Sequence, residues 1–213
     1  MEQSFWQERW EKKETGFNEG VPNASLVKFK DKLGGPPKRT LVPLAGKAFD
    51  LRWLADQGHD VVGVEFVPEA IRELFKEWGE KPIAHRLGAH DALYAKGVTM
   101  IAGDIFSVTP ASLNTFDLIY DRAALVALAP ADEARYAAAM RALLKPGGGI
   151  FLITFSYDQS KVEGPPWSVD DAQVHALYAG MTIERLGDRQ LPANFRLQGL
   201  GVPFMTETAY WIT

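Results

Sequence analysis

The acids best placed for chemistry stand at the ends of short apolar runs. Glu65 closes Val61-Val62-Gly63-Val64, Asp104 follows Val98-Thr99-Met100-Ile101-Ala102, and Asp121-Arg122 follow Phe116-Asp117-Leu118-Ile119-Tyr120. A carboxylate ending the second strand of a nucleotide-binding unit is placed to accept hydrogen bonds from ribose hydroxyls, and one further along the same crevice can face a base. Asp104 has an equally good plain role as a turn or cap residue. Near the start of the chain, Trp6 and Trp10 are four residues apart on an amphipathic pattern and share a helix face. Such a face either anchors a terminal helix to the core or, as a lid, presents ring quadrupoles to a cation once water is excluded.

The element that must position Glu65 is the stretch from Arg39 to Ala70. A strand, Thr40-Leu41-Val42, leads into the turn Pro43-Leu44-Ala45-Gly46, and a helical run from Phe49 to Asp56 stops at Gly58 before the strand that ends on Glu65. This is the first half of a doubly wound nucleotide-binding sheet. A dinucleotide site wants G-x-G-x-x-G in the first turn, so that backbone N–H groups can approach a pyrophosphate. Here Gly46 is the turn's one glycine, and Pro43 removes a donor nearby. A ribose-and-adenine ligand without phosphates needs none of the missing donors, and S-adenosylmethionine (SAM) is such a ligand. On this segment alone, that reading stands level with a βαβ unit whose glycine only allows close packing.

Whole-chain properties narrow the classes. A length of 213 residues with 46% hydrophobic content suits one domain with a sizeable core. A formal net charge of −4 and a pI near 5.6 argue against nucleic acid as a partner. No apolar run reaches the ~20 residues that span a bilayer, and the N-terminus is too polar for a signal peptide. There is no cysteine, which excludes disulfides, thiolate ligands and a cysteine nucleophile, and fits a cytoplasmic location. His85 and His90 invite a metal site, but no second pair stands at ligand spacing, so none is expected.

The other elements follow in order. A short helix is expected from Ser25 to Leu33, ended by Gly34-Gly35-Pro36-Pro37. Another begins at Pro68 with Ile71, Leu74, Phe75 and Trp78 on one face. Residues 79–97 lack a clear period and read as an irregular insertion with room for a hairpin. A helix from Asp132 to Leu144 stops at Gly147, and Ile150 to Phe155 is an apolar strand of the doubly buried kind. Tyr157 to Trp167 reads as a loop stiffened by Gly164-Pro165-Pro166, with Ser168 capping a helix from near Val169. A sixth strand near Thr182-Ile183-Glu184, a loop carrying Arg189, Asn194 and Arg196, and a last strand from Thr206 to Ile212 close the chain as an edge hairpin.

These pieces resemble one family over nearly the full length. FWQERW with TGF, VPLAGKAFDLRWLADQGHDVVGVE, FDLIYDRAALVAL, LLKPGG, and SYDQ with GPPWSV occur in the order and spacing of the thiopurine S-methyltransferases. The resemblance implies a single-domain, Rossmann-like α/β fold of the class I SAM-dependent methyltransferases. Its mostly parallel seven-stranded sheet would have an antiparallel C-terminal strand and helices on both faces. Residues 1–35 would form a helical lid and 36–213 the SAM-binding core. Position by position, Trp6, Trp10 and Phe17 match the aromatic segment that closes over SAM, with Phe17 also touching the acceptor. Leu44 and Gly46 fall in the cofactor turn, Glu65 on the ribose, and Asp104 and Ile105 where the adenine packs. Arg122 matches the arginine where cofactor and acceptor meet, and Arg196 one assigned to substrate binding. Where the family often has PLCGK, this chain has Pro43-Leu44-Ala45-Gly46-Lys47, so the cysteine is not needed for chemistry.

The implied reaction is an SN2 methyl transfer from SAM to the sulfur of a thiopurine or another aromatic or heterocyclic thiol. Alignment of the two sulfurs would supply up to ~7–11 kcal/mol. A small-molecule thiol is the expected partner of a monomeric, cytoplasmic enzyme, without nucleic acid, membrane or metal. Alternatives are a related methyltransferase for halide, thiocyanate, selenium or tellurium species, or a SAM-binding protein without turnover. A nicotinamide oxidoreductase loses on the missing glycines.

Overall fold

The computed structural model describes residues 3–13, 20–35 and 37–213. Strands β1 (Arg39–Pro43), β2 (Asp60–Glu65), β3 (Ile83–Leu87), β4 (His90–Ala95), β5 (Val98–Ala102), β6 (Phe116–Arg122), β7 (Leu144–Ser156), β8 (Ile183–Pro192) and β9 (Phe204–Ile212) form one sheet. Their order is β3-β4-β5-β2-β1-β6-β7-β9-β8. Five central strands, β5-β2-β1-β6-β7, run parallel, while β9 joins β7 antiparallel and β8 joins β9 antiparallel. The chain order reverses beside β1, where an open α/β sheet has its ligand crevice.

The sheet has nine strands rather than the expected seven. The two additions come from residues 79–97, which form the hairpin β3–β4 and pair antiparallel with β5. Exposure masks its alternation: Ile83 lies on an open edge, so polar and apolar residues mix on both faces. Gly88, at the hairpin tip with φ +58°, lies where a Cβ would fall 1.8 Å from the Ser112 carbonyl oxygen, so only glycine closes the turn there.

Helices α1 (Gln3–Glu11), α2 (Ala24–Lys28), α3 (Phe49–Asp56), α4 (Pro68–Glu77), α5 (Pro110–Leu113), α6 (Pro130–Leu143), α7 (Asp171–Leu177) and α8 (Phe195–Gly199) accompany the strands. Strand alternation divides the core. Leu41, Val62, Ile119, Ile150 and Leu152 pack with Tyr136 and Met140 of α6 and Val174 of α7. Val42, Val61, Leu118, Phe151 and Ile153 pack with Leu26 of α2, Leu51 and Leu54 of α3, and Leu74 and Phe75 of α4. The period of two along each strand thus sends successive side chains to opposite helical layers.

Several boundaries differ from the sequence reading. The helix expected over 25–33 is α2 plus a 3-10 turn from Lys30 to Leu33, with Asn23 as its N-cap. α6 ends at Leu143, and β7 begins at once, because Leu144 already pairs with Phe116. Asp170, not Ser168, caps α7 through a reciprocal capping box with Gln173; the Ser168 hydroxyl instead accepts from the Tyr157 N–H. Arg189 lies within β8 rather than a loop, and Asn194 caps α8.

The alternation at β6 also separates Asp121 from its neighbours. Fully buried, its carboxyl accepts from the Tyr136 hydroxyl of α6 at 2.8 Å and from the Leu125 N–H at 3.2 Å. Burial pushes it up to about 6 from the usual 3.8, against the pull of those donors. A carboxyl raised in the folded state favours folding while protonated, and that contribution fades as pH rises through the folded value. Asp121→Asn should therefore gain stability relative to the wild type as pH climbs from about 4 to 7, by up to ~3 kcal/mol. Paired denaturant titrations across that range check the expectation; a constant difference would refute it.

Candidate active site

Glu65 organises the crevice. Its side chain is buried at the end of β2, with one carboxylate oxygen accepting from the Gly46 N–H at 2.8 Å and the other from the Val67 N–H at 2.7 Å. The first bond fixes the turn between β1 and α3, and the second fixes the approach to α4, whose first turn starts at Pro68. Burial raises its proton affinity, while the N–H groups of Val67, Gly46 and Phe66 oppose that shift. An ionised carboxylate has about four lone-pair sites, so each oxygen retains capacity for a further donor such as a ribose hydroxyl.

The turn is built for a ligand without phosphates. Leu44 takes φ +46° and Gly46 φ +52°. A left-handed leucine costs roughly 1–3 kcal/mol and persists where surrounding contacts dictate it. The N–H groups of Ala45, Gly46 and Ala48 are engaged by the Val64 carbonyl, Glu65 and the Ala45 carbonyl. Asp50, in the first turn of α3, is buried as well, accepting from the Asn23 N–H at 2.6 Å and the Tyr120 hydroxyl at 3.0 Å. With those N–H groups engaged, the turn lacks the free donors that a pyrophosphate would need.

Asp104 and Ile105 follow β5 beside Glu65, whose carbonyl accepts from the Gly103 N–H. Asp104 caps a 3-10 turn through the Phe106 N–H at 2.9 Å, so its plain role is realised, and Ile105 is buried in the core beneath. Arg122, half-buried at the end of β6, leaves the sheet on the same side as Tyr120, whose hydroxyl it influences electrostatically. Ala123 follows at φ +63°, turning the chain sharply after the strand. An Asp121–Arg122 salt bridge is not what orients the pair, since Asp121 points to α6.

Trp10 is buried against Phe66, Val67 and Ala70, directly after Glu65, and Trp6 stands half-buried one turn earlier on α1. Phe17 lies outside the described residues. Arg196, exposed on α8, reaches the loop after β7 instead of the crevice: its guanidinium donates to the carbonyls of Pro165 at 2.9 Å and Glu163 at 3.3 Å. That loop is held from within and from the turn that follows β6. The Tyr157 hydroxyl donates to the Pro166 carbonyl at 2.5 Å, the Trp167 N–H to the Val126 carbonyl at 2.6 Å, and a Cβ on Gly164 would fall 2.5 Å from the Trp167 ring.

Sequence reasoning passed over a buried polar knot whose charge reaches the Tyr120 hydroxyl. Glu207 of β9 accepts from the Asn23 amide at 3.1 Å, the Ser25 hydroxyl at 2.8 Å and, in bidentate fashion, Arg189 at 2.7 and 3.1 Å. Burial raises its carboxyl, but Arg189, Ser25 and Asn23 outweigh that and hold it below the usual value. A usable signal existed for Asp50: it shares the buried face of α3 with Leu51 and Leu54, and an acid on an apolar face needs a partner. Glu207 gave none, as strand alternation alone does not mark a buried acid.

Comparisons with known proteins place the chain in a family and a fold. The family model described as thiopurine S-methyltransferase (TPMT) matches residues 1–213. A thiopurine S-methyltransferase of Methylococcus capsulatus is 38% identical, covering 100% of this chain and 97% of its own length. One from Xanthobacter autotrophicus is 43% identical, covering 93% and 94%. In fold, the chain is similar to the Burkholderia thailandensis 1,6-didemethyltoxoflavin-N1-methyltransferase, solved with S-adenosylhomocysteine, at a TM-score of 0.64 and 19% identity, over 98% of this chain and 86% of that one. The sheet, the acid-clamped first turn and the full-length match lead to one assignment: the chain belongs to the thiopurine S-methyltransferase family.

Proposed function

We propose that the protein transfers the methyl group of SAM to the sulfur of thiopurines or other aromatic and heterocyclic thiols. The observation that carries this reading is the first turn: its N–H groups are engaged, and the buried carboxylates of Glu65 and Asp50 flank it. Bound SAM supplies a methyl group already activated by a sulfonium, so the chain need only hold, orient and exclude water.

In this reading, residues 36–213 form the SAM-binding core and residues 1–35 its lid, within a single domain. Glu65 keeps its two backbone donors and accepts the ribose hydroxyls with its remaining lone pairs. Leu44 and Gly46 shape the turn, Asp104 and Ile105 receive the adenine, and Trp6, Trp10 and Phe17 roof the cofactor. Arg122 draws the thiolate, or a ring nitrogen of the acceptor, into line with the methyl group. The sulfur–methyl bond forms as the sulfonium's methyl bond breaks, leaving S-adenosylhomocysteine. Arg196 supports the acceptor side through the Glu163–Pro165 loop. We read the enzyme as a cytoplasmic monomer acting on small molecules, without nucleic acid; no described helix is long and apolar enough to cross a membrane, and the described residues gather no metal-binding cluster.

Labelled SAM offered with thiophenol, 6-mercaptopurine, iodide and selenite should methylate the two thiols far faster than the inorganic acceptors; the reverse preference would refute the thiol assignment. Arg122→Ala should lower kcat/KM for thiols by about 100-fold or more, the range for loss of one preorganised charge, with the fold retained by circular dichroism. Wild-type turnover would remove Arg122 from the mechanism. Glu65→Ala should weaken SAM binding by about 10- to 100-fold, as expected for lost charge-assisted hydrogen bonds, when titrated calorimetrically. Unchanged affinity would detach Glu65 from the ribose.

A further inference from the structure

Trp10 and the cofactor carboxylate share a foundation. One side of the tryptophan's seat is Phe66-Val67 with Ala70, and the Val67 N–H is held by Glu65. On the other side is Lys47, the residue after Gly46, whose N–H is held by the second oxygen of the same carboxylate. The Lys47 ammonium stands 6.0 Å from the Trp10 ring centroid and bridges two carboxylates of α4, Glu77 at 2.6 Å and Glu73 at 3.0 Å. Its side chain is only 15% exposed, against 41% for Glu73 and 55% for Glu77, so the lysine is the enclosed member of the trio. Burial disfavours its charge, yet the bonds to Glu77 and Glu73 leave it more firmly protonated than usual. Trp10, Lys13, Lys47, Glu73, Lys76 and Glu77 line a cleft of about 400 Å³ between the end of α1 and α4.

We infer that Lys47 is a positioning residue that latches the N-terminal helix to the cofactor turn, so that capture of SAM at Glu65 and docking of Trp10 favour one another. The inference rests on Glu65 holding the cofactor, as proposed above. A ligand on Glu65 steadies both backbone segments that the carboxylate spans, and these are the two walls on which Trp10 rests. The ammonium, fixed by the α4 carboxylates and facing the indole, carries that steadiness to α1. By linkage, whatever SAM gives to lid docking, lid docking returns to SAM affinity.

The test uses the full chain. SAM should slow tryptic cleavage after Lys12 and Lys13 of the wild type by about tenfold, a usual size for a coupling between sites. Lys47→Met, which keeps the stem and removes the charge, should reduce that protection to less than about twofold and weaken SAM affinity about tenfold. Lys47→Arg should restore both, which a merely structural loss would not allow. Should Lys47→Met fail to fold, the Glu73→Gln/Glu77→Gln pair releases the ammonium without touching the first turn and should show the same two losses. Unchanged protection and affinity in Lys47→Met or in the glutamine pair, failure of the arginine to restore them, or a wild type that binds SAM without protection each overturns the latch. A wild type that binds no SAM overturns the reading of the site and the latch with it, and is told apart because it appears before any substitution.

Discussion

A single carboxylate spans the two connections on which the crevice depends. Glu65 reaches from the end of β2 to Gly46 after β1 and to Val67 before α4, so one side chain ties together the two loops at this end of the sheet. The arrangement suits the local fields. The carboxylate lies at the N-terminal end of α4, where the helix dipole favours negative charge, and Asp50 occupies the equivalent place in the first turn of α3. Both acids are buried, and both accept hydrogen bonds from neighbouring donors.

The second constraint is the period of two at the end of β6. Tyr120 and Arg122 leave the sheet toward α3, while Asp121 leaves toward α6. Adjacent residues therefore serve opposite layers: Tyr120 reaches Asp50 of α3, and the acid after it anchors the other face. A shift of one residue in this strand would bury Arg122 and expose Asp121 to the crevice, inverting its charge. The parallel partners, Leu41 with Ile119 and Ile119 with Ile150, fix that register.

Much of this was legible in the sequence because the signals were strong and local. An apolar strand ending on an acid, a turn with one glycine, and Pro68 opening a helix need no distant partner to be understood. The place of Glu65 at the end of β2, the parallel core and the closing hairpin could be read that way. The β3–β4 hairpin was read only as room within an irregular insertion, since the edge strand β3 has no buried residue to mark a face. The cap of α7 was misplaced because Ser168 and Asp170 both fit the pattern, and only the fold of the preceding loop claims the serine for Tyr157. Arg196 was assigned by resemblance to the substrate; its contacts are with loop carbonyls, which sequence spacing cannot distinguish. The Glu207 knot was invisible for a different reason: its partners lie 18 to 184 residues away.

That separation governs how the enzyme is made. Asn23 and Ser25 leave the ribosome early, but the acid that satisfies them belongs to β9, the last strand to be synthesised. Until β9 emerges, the Asn23 amide and the Ser25 hydroxyl lack their buried acceptor, though the Asn23 N–H can already reach Asp50, and β7 lacks the neighbour that seals its free edge. The nascent chain can assemble the strands around β1 while its first and last segments wait for one another. A polypeptide cut short by that one strand should leave Asn23, Ser25 and Arg189 without Glu207 and β7 and β8 without the strand that joins them.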